Sequence, residues 1–174
     1  DLVSDYFGFD RVHLFLRAGD RVVFRSGSGV HSARWSIEQL SYDIEDKGFI
    51  PWVARTGQSL VSGDVISDER YLSAPGVEDT RSEMTVPIGI GERVLGVFDI
   101  QSDDLGAFTP EDVTLVQALA DTVAIGIRNA GLFATEQRRR ILAETLREVS
   151  AVLVSSLDLE SVLDGLLSGL ERVV

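Results

Sequence analysis

The chain has 174 residues, enough for one domain plus a linker or a fragment of a second at the usual ~100–200 residues per domain, and its 44% apolar and 25% charged residues exclude wholesale disorder. Its 28 acidic and 16 basic residues leave a net charge of −12, which repels phosphate backbones and anionic lipid heads and so excludes nucleic acid as the main partner. Without cysteine there is no disulfide framework, thiolate nucleophile, thiolate metal site or thioether-linked chromophore, and no apolar run approaches the ~18–20 residues of a membrane span, so no membrane insertion and a cytoplasmic location are expected.

In Arg11–Arg17, Val12, Leu14 and Leu16 alternate with His13, Phe15 and Arg17, the period of a half-buried strand. Ala18-Gly19-Asp20 supplies a turn, and Arg21–Gly27 reads as the antiparallel partner. Ser36-Ile-Glu-Gln39 has the form of a capping box opening a helix. Ile50–Gly57 predicts a short helix with Pro51 in its first turn and Gly57 as a left-handed stop. Leu60 and Val61 begin a brief strand, and Gly63–Gly76 is a long loop with at most one helical turn.

A second hairpin joins Ser82–Ile90 to Arg93–Ser102 through Gly91-Glu92. A plain two-residue turn puts Met84, Val86, Ile88 and Ile90 on one face with Leu95 and Val97. Thr85, Pro87 and Gly89 then share the other with Val94, Gly96, Phe98 and Ile100. Thr109-Pro-Glu-Asp112 is the strongest local signal: a capping threonine, proline at the first helical position, and acids where the helix dipole favours them. The helix that follows carries an apolar face through Leu132 and Phe133. Leu142, Leu146, Val149 and Leu153 then repeat with coiled-coil spacing, predicting a rod that projects from the body. Asp158 is expected to cap a new helix striped with Leu163, Leu166 and Leu170.

Several segments in order resemble a GAF domain, a small-molecule-sensing module of phosphodiesterases, phytochromes and histidine kinase-associated and other bacterial signalling proteins. They are Phe7-Gly-Phe-Asp-Arg-Val12, Trp52-Val-Ala-Arg-Thr-Gly57, Val61–Asp64 before Asp68-Glu-Arg-Tyr71, Ser82-Glu-Met-Thr-Val-Pro-Ile88, Gly91-Glu-Arg-Val-Leu-Gly96 and Ala107-Phe-Thr-Pro-Glu-Asp112. The resemblance implies an α+β, PAS-related fold: an antiparallel central sheet flanked by helices, with a long C-terminal signalling helix. It implies three parts: a domain over 1–133 lacking most of its first helix, a coiled-coil linker over 134–156, and the opening helix of a following GAF-like domain over 157–174. The chain then reads as an excised portion of a tandem sensor.

The functional expectation is a sensory domain that binds a small molecule or dimerises, and relays a signal through its last helix to a downstream domain. Alternatives are a ligand-free structural dimerisation module with a side-chain-filled pocket, or the effector domain of a transcription regulator. Cyclic-nucleotide-binding members carry an Asn-Lys pair, a Phe and an Asp-Glu. Here Phe108 and Asp112 match, while Gln101-Ser102 stands near the Asn-Lys position and Val113 replaces the Glu. Covalent bilin attachment and the cysteine chemistry of methionine-sulfoxide-reducing members lack their thiol. His13 and His31 read as an ordinary strand residue and a solvated loop residue rather than haem ligands. The candidate ligand-binding residues are Trp52, Tyr71, Ser82 and Phe98, with Asp64 and Arg70 at the rim; aromatic walls and a few polar groups suit a small polar guest. Leu142, Leu146, Val149 and Leu153 are the candidate dimer seam. The acids Asp64, Asp68, Glu69, Glu78 and Asp79 lack calcium-loop spacing, and Arg138-Arg-Arg140 reads as a solvated helix surface. No metal, cofactor or catalytic constellation stands out, so a protein that is not an enzyme is expected, a homodimer with an unidentified small ligand.

Overall fold

The computed structural model describes residues 9–170 except Val30 and Pro75, with side chains described as far as residue 154 and at Leu163. The readings of residues 1–8, and of Leu166 and Leu170 as part of a stripe, lie outside the described side chains. The chain divides into two units, Asp1–Ile127 and Arg128–Val174.

In the first unit, six strands form one antiparallel sheet: β1 (Arg11–Ala18), β2 (Arg21–Gly27), β3 (Ser41–Asp43), β4 (Leu60–Ser62), β5 (Ser82–Ile90) and β6 (Arg93–Ser102), in the order β3-β2-β1-β6-β5-β4. Both hairpins stand where the alternation of apolar residues places them. They meet side by side through antiparallel pairing of β1 with β6, where Val12 faces Ile100 and His13 faces Asp99. Gly96 sits at this junction because a Cβ there would lie 2.3 Å from the carbonyl oxygen of Phe15.

The expected register of the second hairpin needs correction. Gly89 pairs with Val94, but Ile88 pairs with Gly96, so Leu95 is an extra residue in a β-bulge. One inserted residue moves every later side chain of β6 to the other face. Met84, Val86 and Ile88 therefore share a face with Gly96, Phe98 and Ile100, while Glu83, Thr85 and Pro87 share the opposite face with Gln101, Asp99 and Val97.

The expected half-buried strand is also corrected, because β1 is covered on both faces: Val12 is 7% exposed on one, His13 and Phe15 1% on the other. The first face receives the helix α3 (Pro110–Leu170), whose Val116, Ala120 and Ala124 are buried with Met84, Val86, Ile88 and Ile100. Alanines on this stripe let the helix backbone come close to the sheet, and each large apolar side chain buried here contributes about 1.5–3 kcal/mol. The second face is covered by α1 (Ser32–Glu38), α2 (Phe49–Thr56) and the 63–80 loop, with Trp35, Phe49, Ile50, Val53, Val65 and Val77 in its core.

Helix α1 begins four residues before the expected capping box. Ser36 lies in its last turn, and Gln39 ends it in the left-handed conformation at φ 52°. The box pattern lost because Trp35, 2% exposed, must lie on a helix face to reach the core. Helix α2 matches its expected bounds to one residue, and Gly57 ends it at φ 68°, where its N–H reaches the carbonyl of Val53. The long loop contains a single 3-10 turn, Val65–Ser67.

Helix α3 starts at the expected cap: Thr109 and Asp112 bind each other's backbone N–H groups through their side chains. It then runs 61 residues without a break, through Asp158, so no new helix starts there. An interior Asp costs a helix well under about 1 kcal/mol, less than nucleating a second one. In the second unit Leu142, Leu146, Val149 and Leu153 are 50–60% exposed, and Arg140 pairs with Glu144 one turn on. Among the described residues no helix is long and apolar enough to cross a membrane.

Candidate functional site

Charged and polar side chains interrupt the apolar pattern of β1, β5 and β6 on the face beneath α1 and α2. Alternation aims His13, Glu83, Thr85, Asp99 and Gln101 into the interior, and all five are at most 4% exposed. Asp99 stands at the centre of this layer. Its Oδ2 lies 3.1 Å from His13 Nδ1 and accepts from Gln101 Nε2 at 2.9 Å; its Oδ1 accepts from the Thr85 hydroxyl at 3.3 Å. The layer extends to the surface: the Thr80 hydroxyl lies 3.2 Å from Gln101 Oε1 and accepts from Arg11 Nη2 at 3.1 Å, and Arg11 also pairs with Asp103. His13 is further held between rings, 4.8 Å from Trp35 and 6.2 Å from Phe24.

Glu83 is placed differently. Its carboxyl lies within hydrogen-bonding reach of the Asp99 carboxyl, its Oε1 meets the Thr85 hydroxyl at a long 3.4 Å, and among the described residues no Lys, Arg or His forms a salt bridge with it. Burial, and then the neighbouring Asp99, push its carboxyl well above the usual carboxylate range, so it resists ionisation. Burial raises the Tyr42 phenol too, with Asp99 and Glu83 adding to the effect. Glu83, Gln101 and Tyr42 line one side of a small recess of about 20 Å³, space for about one water molecule; Phe49, Ile50, Pro51 and Ala74 also line it, with the exposed Lys47 and Leu72.

The six residues singled out from sequence fall into three places. Trp52, Arg70 and Tyr71 come together around Phe49: the Arg70 guanidinium lies 5.3 Å from the Trp52 ring and 5.8 Å from that of Phe49, whose centre is 5.6 Å from Tyr71. Asp68 fixes Arg70 by two side-chain hydrogen bonds of 2.9 and 2.7 Å, which hold the Asp68 carboxyl below its ordinary range. Asp64 accepts from the Ile66 N–H at the start of the 3-10 turn and shares an open surface groove with Arg70, away from the rings. Ser82 and Phe98 lie on the opposite face of the sheet. Ser82 donates to the Asp104 carbonyl and accepts from the Ala107 N–H, and Phe98 packs with the α3 side of the core. The bulge at Leu95 is one cause, since it turns Phe98 away from α2 and Asp99 toward it.

Sequence reading missed the buried layer of His13, Glu83, Thr85, Asp99 and Gln101. The signal was present: a charged residue inside a strand of otherwise apolar and small side chains, once in Glu83-Met-Thr-Val-Pro-Ile88 and once in Val97-Phe-Asp-Ile100. Buried charge is costly enough that such a residue needs a partner or a role.

The GAF domain family model matches residues 1–127. No curated protein matches the sequence. Among solved structures, the GAF domain of a phosphoenolpyruvate-protein phosphotransferase from Coxiella burnetii is similar at a TM-score of 0.69 and 20% identity, over 76% of this chain and 80% of that one. The corresponding domain from Acinetobacter is similar at 0.66 and 17% identity, over 76% and 79%. A type II free methionine-R-sulfoxide reductase from Thermoplasma acidophilum is similar at 0.59 and 23% identity, over 70% and 82%. This last similarity corrects the expectation of a non-enzyme: the same fold serves as an enzyme in that neighbour, so nothing in the architecture argues against catalysis.

Proposed function

This chain belongs to the GAF family, a regulatory and sensory fold of signalling proteins, and from that premise we propose that it is a ligand-responsive dimeric relay. A small molecule enters beneath α2 and rests on Glu83 and Gln101, moving the covering elements aside, since the recess over these residues holds about one water. Two copies join through Leu142, Leu146, Val149 and Leu153, and α3 carries the change to a downstream signalling domain. The cytoplasm is the compartment this assigns.

One observation carries the reading. Along β5 and β6, Glu83, Thr85, Asp99 and Gln101 alternate with Met84, Val86, Ile88 and Ile100, so the strands that floor the cavity also seat Val116, Ala120 and Ala124 of α3. A guest that prefers one position of these strands biases the helix by its differential affinity, and by no more than that. The second reading, a structural dimerisation module, is favoured by the filling of the same face: Phe15, Val22, Val53, Val65 and Val97 are all 0–1% exposed.

Native mass spectrometry of the chain, followed by a thermal-shift screen of nucleotides, tetrapyrroles, amino acids and 2-oxo acids, separates the two. A saturable rise in melting temperature with a dimeric mass supports the relay, because ligands that bind only the folded state stabilise it by mass action. A dimer that no compound stabilises supports the structural module.

A further inference from the structure

We propose that two copies of this chain pair their α3 helices in opposite directions, about a midpoint between Leu146 and Val149. The proposal rests on reading Leu142, Leu146, Val149 and Leu153 as a dimer seam, and it adds the direction in which the copies meet.

The seam is longer than these four residues. Helix α3 is unbroken here, so the same 3,4 spacing continues through Arg139, Thr135 and Leu132 on one side and reaches Leu163 on the other. Leu132, the four central residues and Leu163 are 49–63% exposed, an apolar stripe that a single helix leaves in water.

These apolar positions mirror one another about the midpoint. Antiparallel pairing sets Leu146 against Val149, Leu142 against Leu153 and Leu132 against Leu163, so each meets an apolar partner. Parallel pairing sets each against its own copy and matches them equally well. The flanking Ala143, Thr145, Ser150 and Val152 carry no charge and favour neither direction.

Charge beyond the central layers decides. In a parallel pair the exposed Arg139 meets its own copy in the seam, and Arg138 flanks the same layer, so four guanidinium groups gather where two helices exclude water. In the antiparallel pair Arg139 stands opposite position 156. The two Arg139 residues are then 17 residues apart along the axis, ~25 Å at ~1.5 Å per residue and well beyond the ~8 Å over which salt screens charge. The basic run Arg138-Arg-Arg140 now lies beside the stretch 155–170, whose sequence carries three acids and no base. The two-fold axis repeats this match of opposite charges at the other end.

The test exploits the absence of cysteine from the chain. Leu142→Cys and Leu153→Cys, one of them labelled with nitrogen-15, are oxidised separately and after equilibration as an equimolar mixture, and the disulfides are read by mass spectrometry. A disulfide forms only where the Cα atoms come within ~7 Å. The expected product is the mixed 142–153 disulfide, at least tenfold over either symmetrical one. Symmetrical 142–142 and 153–153 disulfides overturn the antiparallel direction and leave the seam standing. A second measurement leaves the seam residues in place: spin labels on Gln137→Cys, off the seam, are expected more than ~30 Å apart, against about 20 Å in a parallel pair, which would overturn the direction. A monomeric mass for the unsubstituted chain in light scattering overturns the direction and the seam together.

Discussion

Glu83 and Asp99 meet across β5 and β6, their carboxyl groups within hydrogen-bonding reach of each other and of one hydroxyl, Thr85 Oγ1, which lies 3.4 Å from Glu83 Oε1 and 3.3 Å from Asp99 Oδ1. Two carboxyl groups on one buried face of a sheet are an expensive arrangement, since burial and Asp99 both disfavour the charge of Glu83. An apolar pair would pack there at less cost. The cost of the arrangement is measurable without any ligand.

Glu83→Gln raises stability at neutral pH. A carboxyl whose folded pKa lies above its unfolded value contributes fully below the unfolded value, and that contribution is lost as pH rises through the folded one. Glutamine removes this loss. The variant and the parent therefore melt together near pH 4 and separate as pH increases, with the variant higher by roughly 2–4 °C for each kcal/mol relieved. Melting curves across pH 4 to pH 8 check it, and a variant that melts lower at pH 7 contradicts it.

Asp99→Ala is strongly destabilising. It leaves His13 Nδ1 and the Gln101 amide without their shared acceptor in a layer at most 4% exposed. Leaving a buried donor unsatisfied costs about 1–3 kcal/mol. Urea denaturation reads the loss as a lower midpoint with an unchanged slope.

Gly96→Ala disrupts the junction of the two hairpins. The new methyl lies 2.3 Å from the Phe15 carbonyl oxygen, and the obstacle is backbone, which cannot rotate aside. A cost of about 1–3 kcal/mol is expected from overpacking of this kind. Amide exchange locates it: protection falls first along the β1–β6 pairs from Val12 to Leu16.

Leu146→Asp separates the proposed dimer. Leu146 is 58% exposed on the chain, midway along the run of Leu142, Val149 and Leu153. A carboxylate in a coiled-coil seam is buried only at high cost, while on a lone helix it is solvated. Light scattering after size exclusion is expected to give a dimeric mass for the parent and a monomeric mass for the variant. The circular dichroism of residues 9–127 is expected to change little, since this substitution lies in the other unit.

The two hairpins and two of the helix ends were legible because each is written locally. Gly57 and the Thr109-Pro110 step set their boundaries through backbone geometry alone, and the alternation in Arg11–Arg17 fixed a strand. The site was legible only in part. Trp52, Arg70 and Tyr71 do cluster around Phe49, because they flank the same α2–loop contact. Phe98 went to the other face, and Asp99 came to the pocket face, because of one extra residue at Leu95, while Ser82 sits on the Met84 face by the alternation of β5 itself. A bulge is set by how β1 and β5 compete for β6, and no local pattern in Arg93–Ser102 announces it. The α1 boundary failed for a similar reason: the demand of the core for Trp35 outweighed the capping preference of Ser36.

The most direct measurement is backbone amide NMR of the chain titrated with whichever compound of the thermal-shift screen raises its melting temperature most. The account predicts saturable shifts at Tyr42, Glu83 and Gln101 beneath α2, with smaller shifts across the sheet at Val116, Ala120 and Ala124. Shifts confined to the exposed acids Glu69, Glu78 and Asp79, growing linearly with concentration, would contradict it.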